Sequence, residues 1–231
     1  MLAALTGCGQ TTTQKIIDPL VEQKKSSSGN SYIFIYKGDA QIKFTTVRPD
    51  KKDKNVLLCI AAAFTQLENG KVDGAYAVDG KIHQTKFNHH LGGAIFLEAG
   101  GCEIYPLKKP AGDSIDAEDK KKIKDGKASF FQQIQIIVNG VAEKFKDVKL
   151  FQRRAIVIMN DKSIAIIESV DAITLATFSN DLVELGAYNA LYTDMGSWDE
   201  GWYRESNGEI KIIGTDKSQT ARQSNWVMFC K

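Results

Sequence analysis

Short apolar or alternating segments dominate this chain and predict β-strands. Residues 31–36 are aromatic and β-branched, residues 41–47 alternate polar with apolar side chains, and residues 55–63 form a continuous apolar run. Alternation is typical of a half-buried strand, and a continuous run is typical of a central strand that is buried on both faces. Glycine-containing turns indicate tight hairpins between strands. Such turns are predicted at residues 79–80, 98–101, 139–140 and 207–208.

A helical period is clear in one place, between residues 174 and 186. Four apolar residues recur there at spacings of three, four and three, which puts them on one face of a helix. They are Leu175, Phe178, Leu182 and Leu185. Thr174 is suited to cap the first turn with its hydroxyl, and Gly186 is suited to end the helix in a left-handed conformation. A second, short helix is possible in the charged segment of residues 115–120.

The predicted helix lies between two short apolar strands, residues 164–167 and 190–192. A strand–helix–strand unit of this kind predicts that the two strands are parallel neighbours joined by a right-handed crossover. Ligands of such units bind beyond the carboxyl ends of the strands, where Asp194 to Ser197 follow the second strand. A carboxylate followed by a glycine that lets backbone amides approach suits an anionic or polyhydroxyl ligand.

These patterns together predict an α+β fold: a single domain with a large mixed β-sheet, many hairpins and few helices. The 231 residues are 43% apolar and 25% charged, which is ordinary for a globular protein. The net charge of +2 is too small to indicate binding to nucleic acid. No apolar run approaches the ~18 residues of a membrane span.

The N-terminus carries a candidate lipidation site. Leu5-Thr6-Gly7-Cys8 resembles a bacterial lipobox, in which the cysteine is lipidated and becomes the new N-terminus. We therefore predict a signal-like segment over residues 1–8, a polar tether over residues 9–30 and the domain over residues 31–231. The protein would then be anchored to a membrane through Cys8, in the bacterial cell envelope or periplasm. The alternative is an unmodified cysteine in a flexible N-terminus.

The remaining cysteines and the histidines give no metal signature. Cys59, Cys102 and Cys230 show no Cys-x-x-Cys spacing, and we expect Cys59 and Cys230 to be free thiols buried in strands. The three histidines, at positions 83, 89 and 90, include no pair at helical metal-binding spacing, so we predict solvated loop residues and no metal site. Nothing in the sequence identifies a cofactor.

The order of motifs between residues 153 and 204 resembles the phosphodiester glycosidase domain family. An arginine opens the strand Arg154-Ala155-Ile156-Val157, a helix ends in Leu185-Gly186-Ala187, and Asn189-Ala190-Leu191 leads into Asp194. The resemblance extends loosely to residues 131–140 and 225–229. It departs at the turn itself, where the family has Asp-Gly-Gly-Gly-Ser and this chain has Asp194-Met195-Gly196-Ser197-Trp198. Residues 62–65 occupy the place of an early family turn but lack its asparagine.

The resemblance implies roles for particular residues. Asp194 would be the general acid/base or would orient the sugar, and Arg154 would pair with the anionic oxygens of a diester. A glycosidase mechanism with two carboxylates needs a second acid, for which Asp199 and Glu200 are candidates. Further contacts to the substrate are predicted for Gln133, Gly196, Ser197, Trp198 and Asn225; for Trp198, which would stack on a sugar ring, core packing explains the side chain equally well.

The resulting functional prediction is an exported, lipid-anchored hydrolase that acts on a glycosidic or sugar-phosphodiester linkage of a glycan. Its partners would be that carbohydrate ligand and the membrane. The alternative is a non-catalytic carbohydrate-binding or assembly lipoprotein on the same scaffold. Met195 favours the alternative, because it adopts fewer backbone conformations than the glycine of the family.

Overall fold

A computed structural model describes residues 19–107, 113–197 and 199–231. Within them it contains seventeen strands, two α-helices and one 3₁₀ helix. The strands are β1 (Leu20–Lys25), β2 (Ser31–Tyr36), β3 (Gln41–Thr45), β4 (Val56–Ala61), β5 (Tyr76–Val78), β6 (Lys81–Gln84), β7 (Gly93–Glu98), β8 (Gly101–Pro106), β9 (Ser129–Gln133), β10 (Gln135–Val138), β11 (Val141–Ala142), β12 (Arg154–Met159), β13 (Ile164–Ser169), β14 (Ala187–Tyr192), β15 (Gly201–Arg204), β16 (Ile210–Ile213) and β17 (Trp226–Cys230). The helices are α1 (Ala117–Gly126), α2 (Leu175–Glu184) and the 3₁₀ helix Thr220–Arg222.

The strands form three sheets, and the predicted large mixed sheet is wrong. A seven-stranded sheet has the order β1-β2-β13-β12-β14-β10-β11, and two five-stranded sheets have the orders β16-β15-β4-β17-β3 and β6-β5-β9-β7-β8. All of the strand pairs found in the described residues are antiparallel. The molecule is therefore a mainly β single domain, which the α+β prediction fits only roughly.

The strands on either side of α2 run parallel but are not neighbours, which corrects the prediction. β13 is already flanked by its hairpin partner β12 and by β2. Both of its edges are thus occupied, and β14 pairs with the other edge of β12 instead. The predicted helix and the position of Asp194 after β14 are unaffected by this change.

A common hydrophobic core lies between the three sheets, and each sheet contributes residues to it. In β12, Ile156 points into this core, whereas Ala155 and Val157 point to the opposite face, where they pack with Phe178 of α2. Helix α1 packs on the third sheet as α2 packs on the first, and its Ile123 lies in a separate hydrophobic cluster. Because both faces of strands such as β12 are buried, they read as continuous apolar runs rather than as alternating ones.

The local signals for helices and hairpins are confirmed. The Thr174 hydroxyl accepts a hydrogen bond from the Thr177 amide at 3.0 Å, and Gly186 after α2 has a φ of +95°. The possible short helix is α1, which begins at Ala117, later than predicted, and is capped by Asp116. Turns at all four predicted hairpins join successive antiparallel strands.

Residues 20–30, predicted as part of the polar tether, instead form β1 and the turn into β2. β1 reads as polar because it is an edge strand whose long side chains cover apolar surface. The Lys24 ammonium lies 4.7 Å from the centre of the Phe34 ring and donates a hydrogen bond to the Tyr36 hydroxyl at 2.8 Å. Aliphatic stems of lysine can shield hydrophobic residues in this way without giving an apolar pattern.

The turn after β1 is fastened to α2 by the buried carboxylate of Asp181 and by the exposed carboxylate of Glu184, which accepts from the Ser27 amide and hydroxyl. Oδ2 of Asp181 accepts hydrogen bonds from Ser26 at 2.9 Å, Ser28 at 2.7 Å, Asn30 at 2.8 Å and the Tyr32 hydroxyl at 2.5 Å. Burial by itself raises the pKa of Asp181, but these donated hydrogen bonds outweigh burial and hold the pKa below its ordinary value. Asp181 is therefore buried against the turn and the start of β2, although it lies outside the apolar stripe that predicted the helix.

We predict that Asp181→Asn lowers the free energy of unfolding by about 1–3 kcal/mol at neutral pH, because four donors lose a charged acceptor. The folded pKa of Asp181 is depressed, so its contribution is complete above the unfolded pKa of about 4 and is lost as the pH falls through the folded pKa. Urea unfolding at neutral pH and near pH 3 measures both effects.

In the matched control Glu184→Gln, an exposed carboxylate of the same helix is neutralised, which should cost under about 1 kcal/mol. Equal losses for the two variants would contradict the prediction.

Candidate functional site

Asp194 lies at the junction between the seven-stranded sheet and the five-stranded sheet that contains β4. The chain leaves β14 at Thr193, whose amide and hydroxyl both donate to the Arg154 carbonyl, at 3.1 and 3.3 Å. The Asp194 amide then donates to the Ala62 carbonyl at 2.8 Å, and the Thr65 amide donates to Asp194 Oδ2 at 3.2 Å. The acid is thus held by backbone groups from both sheets, with 4% of its surface exposed.

Asn225 fixes the segment that faces Asp194. Its Oδ1 accepts from the Ala63 amide at 2.7 Å, and its Nδ2 donates to the Ala63 carbonyl at 3.0 Å. The side chain is fully buried and is used on backbone groups. The predicted contact of Asn225 with a substrate hydroxyl is not supported by this placement, whereas a role in positioning residues 62–65 is.

An open pocket of about 410 Å³ lies in front of Asp194. Three of the predicted site residues line it, namely Asp194, Gly196 and Ser197. The other lining residues are Phe64, Thr65, Leu67, Met195, Gln219 and Arg222. Gly196 has a φ of +144°, so glycine is required there by the backbone. Met195 is not among the described residues with positive φ, and its side chain packs against the core under α2. The turn therefore accommodates methionine at position 195 without backbone strain.

Arg154 forms a buried ion cluster behind this turn. Its Nε donates to Glu168 Oε2 at 2.6 Å, and its Nη1 and Nη2 donate to the two carboxylate oxygens of Asp199 at 2.7 and 3.1 Å. Burial alone would lower the pKa of the guanidinium, but Asp199 and Glu168 raise it above its ordinary value. Arg154 does not line the Asp194 pocket. Its placement does not support the predicted contact with a diester.

Two glycines make room for the Arg154 cluster. A Cβ atom at Gly201 would lie 2.6 Å from Arg154 Nη2, and one at Gly214 would collide with the Asp199 carboxylate. The Gly214 amide donates to Glu168 Oε1 at 2.7 Å, and Gln152 Nε2 donates to the same oxygen at 2.9 Å. These donors stabilise the second oxygen of Glu168, so both buried carboxylates of the cluster have charged or hydrogen-bonded partners.

The two candidates for a second acid lie outside the pocket. Asp199 is held by Arg154, and Glu200 is held by Arg48 at 2.5 Å and by the Trp226 indole N–H at 3.0 Å. Both carboxylates are buried, and neither lines the pocket. Asp194 is consequently the one carboxylate among the described residues that line it.

Gln133 is fully buried where β9 ends. Its Oε1 accepts from the Ile134 amide at 2.8 Å, and its Nε2 has no hydrogen-bond partner in the described part of the chain. Gln133 is not among the residues that line the Asp194 pocket. Trp198 and Cys8 lie outside the described residues, so the structure gives no placement for the predicted stacking and lipidation sites.

The sequence analysis assigned no role to several other residues that line the pocket. Gln219 and Arg222 come from the loop that contains the 3₁₀ helix, and their polar neighbours show no periodic pattern. Phe64 and Thr65 belong to the segment that the family resemblance had already placed near the site. That resemblance was the only sequence signal for these two residues, since hydrophobic patterning does not report on exposed loops.

The described residues contain no cluster of three or more His, Cys, Asp or Glu side chains arranged to hold a metal ion. The three histidines are exposed, although His83 lies in β6 rather than in a loop. Cys59 and Cys230 are buried free thiols in strands, as predicted. Neither α-helix in the described ranges is long and hydrophobic enough to span a membrane.

Two larger hollows lie beside α1, of about 630 and 680 Å³. Mostly charged surface side chains line them, such as Glu118 and Lys121 in the first and Lys120 and Lys124 in the second. Neither contains a residue of the predicted site. Size alone would favour them, but the Asp194 pocket combines a buried carboxylate with a backbone shaped by glycine.

Solved structures share the fold, although no protein-family model and no curated protein matches the sequence. The chain is similar to the zebrafish N-acetylglucosamine-1-phosphodiester alpha-N-acetylglucosaminidase catalytic domain, auto-inhibited by its pro-peptide, with a TM-score of 0.62, 12% identity and coverage of 92% of this chain and 82% of that one. It is also similar to a hypothetical protein from Synechocystis, with a TM-score of 0.64 and 14% identity, over 92% of this chain and 62% of that one. At these identities the likeness establishes a distant similarity of fold.

Proposed function

We propose that this protein is a hydrolase of a glycosidic or sugar-phosphodiester linkage and that Asp194 carries the proton transfer. The observation that carries the proposal is the Asp194 carboxylate, nearly buried in the wall of an open pocket and oriented by the Thr65 amide. The distant fold similarity to a domain named for a sugar phosphodiester supports the same class of reaction.

A single carboxylate suits a phosphodiester better than an ordinary glycoside. Hydrolysis of a simple glycoside uses a second carboxyl group to protonate the departing alkoxide. In a sugar 1-phosphodiester, the anomeric C–O bond breaks and its electron pair leaves on a phosphate monoester, which is stable as an anion without protonation. Asp194 would act as general base on the attacking water, which forms the new bond to the anomeric carbon and gives its proton to the carboxylate.

Arg154 is proposed to position the turn rather than to contact the substrate. Its guanidinium holds Asp199 at one end of the turn, and its carbonyl holds Thr193 at the other end. Asp194 lies between these two fixed points. Displacement of either end would misplace the carboxylate, and small misplacements of a catalytic group have large effects on rate.

Export and lipidation at Cys8 are part of the proposal and rest on the lipobox-like Leu5-Thr6-Gly7-Cys8. They would place the pocket in the bacterial cell envelope or periplasm. Mass spectrometry of the native N-terminus tests this part separately. A diacylglyceryl-modified Cys8 supports it, and an unmodified Met1 contradicts it.

The second candidate is a non-catalytic carbohydrate-binding or assembly lipoprotein. It is favoured by the single carboxylate among the described lining residues and by Met195 in the turn. The two candidates differ in turnover, because a binding protein would retain its ligand unchanged.

We predict that wild-type protein hydrolyses a methyl diester of N-acetylglucosamine 1-phosphate and that Asp194→Asn lowers kcat by at least about 100-fold, as expected on removal of a general base. Product release followed by chromatography measures the rate. Glu68→Gln is the matched control, since Glu68 is an exposed carboxylate close in sequence to residues 62–65, the segment that faces Asp194. No wild-type turnover, together with a change only in glycan affinity for Asp194→Ala, would support the binding protein and end the hydrolase proposal.

For Arg154 we predict that the charge-retaining variant Arg154→Lys lowers kcat more than it changes KM, because it loses the bidentate contact with Asp199. Arg154→Met should lower the free energy of unfolding by about 3–5 kcal/mol, since it leaves Glu168 and Asp199 buried without a cation. Steady-state kinetics and urea unfolding measure the two effects. A rise in KM alone for Arg154→Lys would instead indicate direct contact with the substrate.

A further inference from the structure

The Asp194 pocket contains one arginine, Arg222, on the wall formed by the 3₁₀ helix Thr220–Arg222. The other arginines of the chain have their guanidinium groups engaged within the protein. Arg48, Arg153 and Arg154 are paired with carboxylates, and Arg204 donates to backbone carbonyls. In the described part of the chain, Arg222 makes no ion pair, and its side chain is exposed.

The backbone that carries Arg222 is anchored to the turn that carries Asp194. The Gln219 amide donates to the Ser197 carbonyl at 2.6 Å, and the Thr220 hydroxyl donates to the Asp199 carbonyl at 2.9 Å. From the other side, Arg48 Nη2 donates to the Thr220 carbonyl at 2.7 Å while its Nη1 contacts Glu200. The 3₁₀ helix is thereby held against the end of the turn that contains Ser197 and Asp199, which keeps Arg222 at the pocket.

A solvated guanidinium held at the rim of a carboxylate pocket has a clear chemical use. Arginine offers a planar fork of donors that matches the oxygens of a phosphate or carboxylate group, and it stays charged at all accessible pH values. A carboxylate in the pocket repels an anionic ligand, and a cation in the same pocket favours the entry of such a ligand. Arg222 supplies that cation from the 3₁₀ helix that lines the same pocket.

We propose that Arg222 is the specificity-determining residue of the pocket and that it binds the anionic group of a charged sugar ligand. This inference rests on the proposed function only in taking the Asp194 pocket as the site for a sugar. The anionic group is either the phosphate of a diester or the carboxylate of a uronic acid, since both offer oxygens to the guanidinium.

Calorimetric binding to Asp194→Asn protein tests the inference without turnover. The probes are the methyl diester of N-acetylglucosamine 1-phosphate, methyl glucuronide and the neutral methyl N-acetylglucosaminide. We expect Arg222→Gln to weaken binding of an anionic probe by about 10- to 100-fold and to change binding of the neutral probe by less than about 2-fold. Loss confined to the diester identifies phosphate as the recognised group, and loss confined to the glucuronide identifies carboxylate.

Arg222→Lys should retain part of the preference, because it keeps the charge but loses the fork. Lys52→Gln is the matched control, since it removes one positive charge from an exposed loop away from the pocket and should leave all affinities unchanged. The inference is overturned if the protein with Arg222 intact binds neither anionic probe more tightly than the neutral one, or if Arg222→Gln weakens all probes equally. Hydrolysis could fail while the charge preference remains, so failure of the proposed function is distinguishable from failure of this inference.

Discussion

The buried contact of Arg154 with Glu168 and Asp199 is the interaction on which the geometry of the site depends. Arg154 and Glu168 face each other across β12 and β13, and Asp199 lies two residues before Gly201, which pairs with β4. The cluster therefore ties the seven-stranded sheet to a five-stranded one. A buried ion cluster of this kind gains little net stability, because desolvation offsets much of the attraction. What it provides is a unique alignment of the two sheets, since any other arrangement would leave a buried charge unpaired.

The alignment of these sheets determines where the turn that carries Asp194 lies. The turn leaves β14 at Thr193 and is fixed again at Asp199, so its path is set at both ends by Arg154. Asp194 is thereby presented to a pocket that the 3₁₀ helix also lines, and this helix is itself hydrogen-bonded to the turn. The acid, the glycine at position 196 and Arg222 are thus parts of one connected structure rather than separate loops.

Much of the local structure could be predicted from the sequence, because it depends on local chemistry. Helix α2 with its Thr174 cap, the hairpin turns and the buried strand β4 follow from periodicity and from turn residues. The sheet arrangement did not follow, since the edge of β13 was taken by β2, which is distant in sequence. β1 escaped prediction because lysine side chains hide its apolar contacts, and the burial of Asp181 could not be predicted because its donors come from residues 26–32.

The residues of the candidate site likewise divide into those that local sequence could predict and those that depend on long-range contacts. Asp194, Gly196 and Ser197 could be identified because one short turn contains them all. Arg154 was predicted to contact a diester, and the sequence could not show that Glu168 and Asp199 would surround it instead. Asn225 likewise contacts Ala63 from far along the chain, and Arg222 carries no pattern at all. Long-range pairing of polar groups, rather than hydrophobic pattern, decides which of these residues line the Asp194 pocket.

The most direct test of the Asp194 pocket as the functional site is a crystal structure of Asp194→Asn protein with the methyl diester of N-acetylglucosamine 1-phosphate. The sugar should lie beside residue 194, between Thr65 and Gln219, with its anomeric carbon facing the mutated side chain. Density for the diester only in the hollows beside α1, or an empty Asp194 pocket at saturating ligand, would contradict the account.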